Sequence, residues 1–325
     1  MVVDPIQPMS NRSYRASLKD LQVEEPVDLL VHRPLGYIVA RALLPTPVTA
    51  DQVTVFSMVL GLGAAAAFVA TALGGRYAIP GGLLLIASAV FDCADGQLAR
   101  MRRSSSRYGR MLDGMVDAVV QIATAPAALA VMVVRLGGMT PAGITWLALG
   151  IVTALVGVRH TSLYDHFKNA YVRNTNASPG DCDDLEDVER EWLRLRTTNT
   201  ATWFDRLRFP AYLVHLRMVR QTFRWVDPYT PARFADMPPF SEAGAARYRE
   251  LHARLMRTWS FFGVGTHVFG FAVATMFDRL EWYIVARLVV LDAVLLVLAP
   301  AQRRAARKYF EPHASTGAME RAVAL

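Results

Sequence analysis

Asp92-Cys93-Ala94-Asp95-Gly96-Gln97-Leu98-Ala99-Arg100, a connecting stretch 101–108, then Gly109, Asp113 and Asp117: the reading of these residues decides the fold. The four carboxylates recur at spacings of three and four, so each pair shares one face of a helix. The basic stretch between the pairs is short, which makes the two acid-bearing helix ends antiparallel neighbours. Apolar sequence leads into Asp92 and away from Asp117, so the carboxylates lie at the ends of membrane helices or slightly inside them. An ionisable residue at the centre of such a helix costs roughly 2.5–3.5 kcal/mol on insertion scales and faces a functional interior. Four converging like charges also repel, and protons or cations must hold them. Solvated acids in a charged loop would explain neither the spacing nor Asp117, roughly 13 Å along its helix from Tyr108.

All the candidate ligands are oxygens, with no His or second Cys beside them in sequence. That favours Mg²⁺ or Mn²⁺ over zinc, and two such ions in one carboxylate cluster clamp a phosphate while a nucleophile attacks. Gly96 and Gly109 leave room at matching levels for a flat group. The full pattern, Asp92-x2-Asp95-Gly96-x2-Ala99-Arg100-x8-Gly109-x3-Asp113-x3-Asp117, resembles the signature of the CDP-alcohol phosphotransferase (CDP-alcohol phosphatidyltransferase) family.

The resemblance implies a transferase that takes a phospho-alcohol group from a CDP-linked donor, passes it to an alcohol hydroxyl and releases CMP. It implies two Mg²⁺ or Mn²⁺ held by Asp92, Asp95, Asp113 and Asp117, with Asp117 as general base beside Asp113. Gly96, Ala99, Arg100, Gly109 and Asp95 would line the cytidine nucleotide, and a homodimer follows by family analogy. CDP-diacylglycerol is the expected donor. Inositol, inositol phosphate, glycerol phosphate and serine all stay open as acceptors. Arg102, Arg103, Arg107 and Arg110 are candidates for substrate phosphates, Arg110 on the motif helix first among them, although loop arginines also follow from topology. Two other classes remain in view. An Mg²⁺-dependent membrane prenyltransferase would release pyrophosphate instead of CMP. A divalent-cation transporter would need polar residues beyond Asp117, yet after Gln121 the helix is apolar apart from Thr124.

The chain has 325 residues, 53% of them hydrophobic, and a formal net charge of +7. The apolar runs make it an all-α polytopic membrane protein of six transmembrane helices with an N-terminal amphipathic interfacial helix. Residues 1–46 are expected to form a loose polar arm (1–25) and that amphipathic helix, broken by Pro34, with apolar residues from Val27 to Ala42 at helical spacing. No secretory signal is visible in the polar N-terminal stretch.

Residues 47–164 hold spans one to four. The first is apolar from Val53 to about Leu73, and the second runs from about Ile79 to Arg100. The third runs from Tyr108 to Val134, with a kink at Pro126. The fourth is opened by Thr140-Pro141 as cap and first residue. The family opens its first span with Thr-Pro-Asn-x-x-Thr; here Thr49 and Thr54 fit, while Ala50 and Asp51 depart. Asp51 is read as either a helix N-terminal acid or a nucleotide or metal contact.

Residues 165–250 form an insertion on one membrane face. Its first part is acidic and reads as a solvated surface; its second mixes Arg with aromatics and reads as helices lying on the membrane. Residues 251–325 carry span five (256–277), span six (282–298, stopped by Pro300) and a basic tail. Gly74-Gly75 reads as a turn. Of 35 Lys and Arg, 31 fall on the side holding both termini and the aspartate motif, which the positive-inside rule makes cytoplasmic. The basic balance therefore follows from topology and not from nucleic-acid binding. A bacterial or archaeal cytoplasmic membrane is expected, with the active site facing the cytoplasm. Cys93 and Cys182 are far apart and on the reducing side, so no disulfide is expected. Polar residues at the exit of span four, from Arg159 and His160 to Lys168, are either acceptor contacts or interfacial anchors. His267 is expected to bond between helices, and Asp292 to pair with Arg287.

Overall fold

The computed structural model describes residues 14, 17, 18, 21–73, 76–104, 106–177 and 184–323, without the side chains of Arg107, Arg110 and 312–323. The Gly74-Gly75 turn, Cys182 and the acids Asp181 and Asp183 lie outside the described residues. Among those described, every regular element is helical.

A π-helical turn, Asp28–His32, runs into α1, Arg33–Leu43. Four spans follow: α2, Ala50–Ala72; α3, Ala78–Met101; α4, Arg107–Arg135; and α5, Pro141–Thr175. The inserted segment supplies α6, Leu185–Thr197, and α7, Trp203–Val226. The fifth span is α8, Glu242–Trp259, continued by α9, Val264–Met276. The sixth is α10, Leu280–Val285, a π-helical stretch Ala286–Leu291, and α11, Asp292–Val323. Six of these helical runs are long and apolar enough to cross a membrane.

The cap of each early span is written in its sequence. Thr49 and Gln52 form a reciprocal capping box at the start of α2, with Gln52 N donating to Thr49 Oγ1 at 3.2 Å and Thr49 N to Gln52 Oε1 at 3.0 Å. Ser106 Oγ accepts from Gly109 N at 2.9 Å to open α4, and Thr140 caps α5 ahead of Pro141. α4 stays helical through Pro126. One apolar core, including Phe68, Leu85, Val120 and Met132, joins α2, α3, α4 and the outer half of the fifth span.

Several expectations need correction. Pro34 does not break the amphipathic segment: it sits in the first turn of α1, where its missing N–H would have no partner. Leu30, Leu35 and Ile38 face outward, while Asp28, His32, Arg33, Gly36 and Ala40 are buried. Apolar outside and polar inside is the arrangement of a helix bedded in a lipid interface. Gly36 permits the close approach, since a Cβ there would lie 3.1 Å from the Ala94 nitrogen and the Val90 oxygen of α3.

The arm is not loose where it is described. Ser17, Val23, Glu24 and Glu25 are buried, because polar groups of the spans seize the arm's backbone and carboxylates. Tyr164 Oη donates to Val23 O at 2.6 Å, and Arg257 Nη1 to Glu24 O at 3.3 Å.

α5 continues to Thr175, well past the polar exit. The fifth span starts at Glu242 and is interrupted by a 3₁₀ turn, Ser260–Phe262. Gly263 is extended there and α9 begins anew. Its freed N–H groups are taken by Glu25, which accepts from Gly265 N at 3.2 Å and from Thr266 N at 2.7 Å. That carboxylate is buried beside Asp28, and burial is the larger reason it is pushed up to about 8.

Pro300 does not stop the last helix. A proline frees only one upstream carbonyl, and beyond it Ala306, Tyr309 and Phe310 bury themselves against the core around Tyr248 and Trp259.

The acids of the insertion that are described are not merely solvated. Glu186 takes Arg220 with both oxygens, at 2.6 and 2.7 Å, and Glu189 takes Arg217 at 2.7 Å, so α6 is clamped to α7. Val188, Phe209 and Leu213 then pack on Met111 of α4, and Tyr108 meets Phe204 at 5.9 Å between ring centres. The insertion leans on the end of the third span.

Candidate active site

The site lies where the second half of α3 meets the first half of α4. Met101 ends α3, Arg103 turns the chain with φ +53°, and α4 starts at Arg107, so the two helices run antiparallel with their acids level. One oxygen each from Asp92, Asp95 and Asp113 lie within 4.8 Å of one another. Asp117, one helical turn beyond Asp113, falls outside that trio. Asp95 is 6% exposed.

Asp92 Oδ1 and Asp113 Oδ1 are buried with no hydrogen-bond partner. Each unsatisfied buried acceptor costs about 1–3 kcal/mol, and more when charged. Three carboxylates facing each other with orphaned oxygens and no amine among them suit a hard divalent cation, so the donor set fits Mg²⁺ or Mn²⁺.

The remaining motif residues fall into place around this centre. A Cβ on Gly109 would lie 3.5 Å from Asp51 Oδ1, so Asp51 faces the gap that Gly109 leaves open as well as standing in the first turn of α2. A Cβ on Gly96 would lie 3.3 Å from Arg100 Nη1, so the Arg100 guanidinium lies along that glycine. Arg100 Nε donates to Ser17 O at 2.8 Å, while Nη2 is buried without a partner. Ala99 is half-buried and its carbonyl accepts from Ser104 N at 2.9 Å. Arg103 is exposed on the turn. The side chains of Arg107 and Arg110 lie outside the described residues.

Sequence reasoning missed several partners of the site. Thr54, buried at the start of α2, donates its hydroxyl to Asp95 Oδ2; its place in the opening pattern of the span was the available signal. Arg102, expected as a candidate for substrate phosphates, is instead a clamp, its guanidinium held by backbone carbonyls: Nη2 donates to the carbonyls of Leu43 and Thr46, both at 2.8 Å, and Nη1 to Val48 O. It thereby ties the loop before α2 to the end of α3. Gln97 Nε2 reaches Arg33 O at 3.2 Å and Ser17 Oγ at 3.3 Å.

The polar residues of the later spans pair differently from expectation. Asp292 binds His160 Nε2 at 2.9 Å, and Arg287 instead donates to Tyr283 Oη at 2.7 Å. The helix between them is π-wound, which turns the two side chains apart. His267 stacks on His160 with ring centres 6.4 Å apart, and its Nε2 has no hydrogen bond, so ring contact replaces the expected interhelical bond. At the exit of span four, Lys168 binds Asp165 at 2.6 Å.

Six helical runs long and apolar enough to cross a membrane, with carboxylates gathered at the ends of two of them, make the class of an integral membrane protein with a candidate metal centre. More narrowly, residues 47–176 match the family model for CDP-alcohol phosphatidyltransferase, a family of transferases of substituted phosphate groups. The match spans α2 to α5 and contains every motif residue. No curated protein matches the chain.

Proposed function

We propose that the protein transfers a phosphatidyl group from CDP-diacylglycerol to the hydroxyl of a small polar alcohol and releases CMP. The observation that carries this reading is the trio Asp92, Asp95 and Asp113, with two orphaned oxygens, at the end of a membrane bundle. A site at the ends of membrane helices suits a donor with acyl tails and a water-soluble acceptor such as inositol, inositol phosphate, glycerol phosphate or serine. Asp92, Asp95, Asp113 and Asp117 would hold two divalent cations, Mg²⁺ or Mn²⁺. Bound there, they would supply positive charge to the pyrophosphate and the departing CMP.

The chain's own residues do the rest. Asp117 takes the proton of the acceptor hydroxyl as its oxygen bonds to the phosphorus bearing the diacylglycerol. The bond from that phosphorus to CMP breaks, and CMP leaves with the electron pair. The gap at Gly96 and Gly109 accommodates the cytidine. Thr54 keeps Asp95 turned toward its partners. Both termini and the site face the cytoplasm of a bacterial or archaeal cell, in keeping with the positive-inside balance.

The test is CMP release by purified protein in detergent with CDP-diacylglycerol, Mg²⁺ or Mn²⁺ and single alcohols, beside Asp117→Asn. CMP that requires metal and one alcohol, and vanishes in the variant, supports the reading and names the acceptor. Folded protein that yields no CMP with any alcohol refutes it; pyrophosphate release from a prenyl diphosphate would then show the other chemistry.

A further inference from the structure

The four aspartates of the motif offer only oxygen donors, but the fold gathers a different donor group around Cys93, the residue next to Asp92. Where the π-helical turn Asp28–His32 lies against α3, one ligand atom each from Asp28, His32 and Cys93 lie within 4.8 Å of one another. Asp28 is 8% exposed and His32 1%. His32 Nδ1 meets Asp28 Oδ1 at 2.8 Å, while Nε2 is buried with no hydrogen-bond partner. Cys93 is a free thiol. A π-turn is rare and concentrates at functional sites; here it carries the two donors of the arm to the level of the thiol. The buried arm around them holds Glu24 and Glu25 as well, with Arg33 paired to Glu24 at 3.3 Å.

We propose that Asp28, His32 and Cys93 form a second metal site, separate from the aspartate trio, that takes a borderline-soft divalent cation of the zinc type. Carboxylate oxygen, imidazole nitrogen and thiolate sulfur are the donors zinc uses, with water in the fourth position. The sulfur selects against the hard cations that suit the trio. Binding deprotonates the Cys93 thiol and releases that proton to solvent. The ion staples the N-terminal turn to α3 at the residue next to Asp92, which makes Cys93 and His32 positioning residues for the motif helix. The site stands whether or not the transferase reading does.

The test uses the full-length protein in detergent, stripped with a chelator and titrated with Co²⁺. The expected result is a near-ultraviolet sulfur-to-cobalt charge-transfer band that saturates at one ion per chain and is bleached by Zn²⁺. Cys93→Ser should abolish the band, and His32→Ala should weaken Co²⁺ binding by at least the ~10–100-fold that loss of even an outer-shell partner costs. Cys182→Ser and Asp113→Asn should keep the band, which separates this site from the only other cysteine and from the oxygen trio. Zn²⁺ should raise the melting temperature of the wild type and not that of Cys93→Ser. A wild-type spectrum without the band, or a band that survives Cys93→Ser and disappears in Cys182→Ser, overturns the proposal without reference to any variant's folding.

Discussion

Replacing Thr54 by valine removes one hydroxyl from the site and almost nothing else. Thr54 is 4% exposed and its hydroxyl is directed at Asp95 Oδ2, while valine has the same shape and keeps the helix. A hydrogen bond to a charged group contributes about 1.5–3 kcal/mol. If Asp95 serves as a cation ligand, that loss appears as weaker metal affinity. At about 1.4 kcal/mol per factor of ten, it corresponds to about a 10–100-fold rise in the metal concentration that gives half-maximal rate, the range found for outer-shell partners of metal ligands. The assay is CMP release titrated with Mg²⁺ and with Mn²⁺, at saturating donor and acceptor. Thr54→Ser restores a donor at the same position and should recover most of the affinity. A Thr54→Val protein that folds and shows an unchanged metal dependence refutes the claim that this bond orients a metal-binding carboxylate.

Asp92→Asn and Asp113→Asn should each cut CMP release at least a hundredfold while leaving the protein monodisperse, because neutral amides relieve the crowding but offer weaker donors; activity near wild type in either would remove that residue from the centre. Arg102→Met leaves the carbonyls of Leu43, Thr46 and Val48 without their donor. It should lower stability by about 2–4 kcal/mol, read as a fall in melting temperature in detergent. Glu186, held by Arg220, sits at about 2, below the usual carboxylate range. A depressed carboxylate contributes fully above its unfolded value near pH 4.3 and loses that contribution as pH falls toward 2. Limited proteolysis between α6 and α7 should therefore accelerate across that window, and Glu186→Gln should flatten the dependence; an equal slope in the variant excludes this pair as the cause. Glu25→Gln keeps one acceptor for Gly265 or Thr266 where Glu25→Ala keeps none, so the melting temperature should fall further in the alanine variant.

The spans and the motif were legible because both rest on local periodicity. Thr49, Ser106 and Thr140 announce their helices within four residues, and acids at spacings of three and four can only share a face. What stayed illegible depends on contacts far apart in sequence. Asp292 lies five residues from Arg287 and 132 from His160, yet the π-wound turn hands it to His160. The break in the fifth span is invisible locally, since Gly263 in an apolar run reads as an ordinary span residue until Glu25 is found capping it. Polar composition made 242–250 look like part of the insertion, because its burial comes from Tyr248 packing edge-to-face among Tyr171, Tyr309 and Phe310. The oxygen trio could be predicted from the motif alone; the thiol and imidazole beside it come from elements more than sixty residues apart.

The capping of α9 by Glu25 has a consequence for how the chain is made. The two partners are separated by 240 residues, so when the fifth span enters the bilayer its broken end has no cap of its own. The arm that completes it was synthesised before any span. Until then Glu25 must wait undocked on one membrane face, and the π-turn and α1 that follow it cannot settle fully onto α3. Closure of the N-terminal arm is thus a late step of biogenesis, and a chain truncated before Gly265 would keep its motif helices while its covering arm lost the anchor that Gly265 and Thr266 give Glu25.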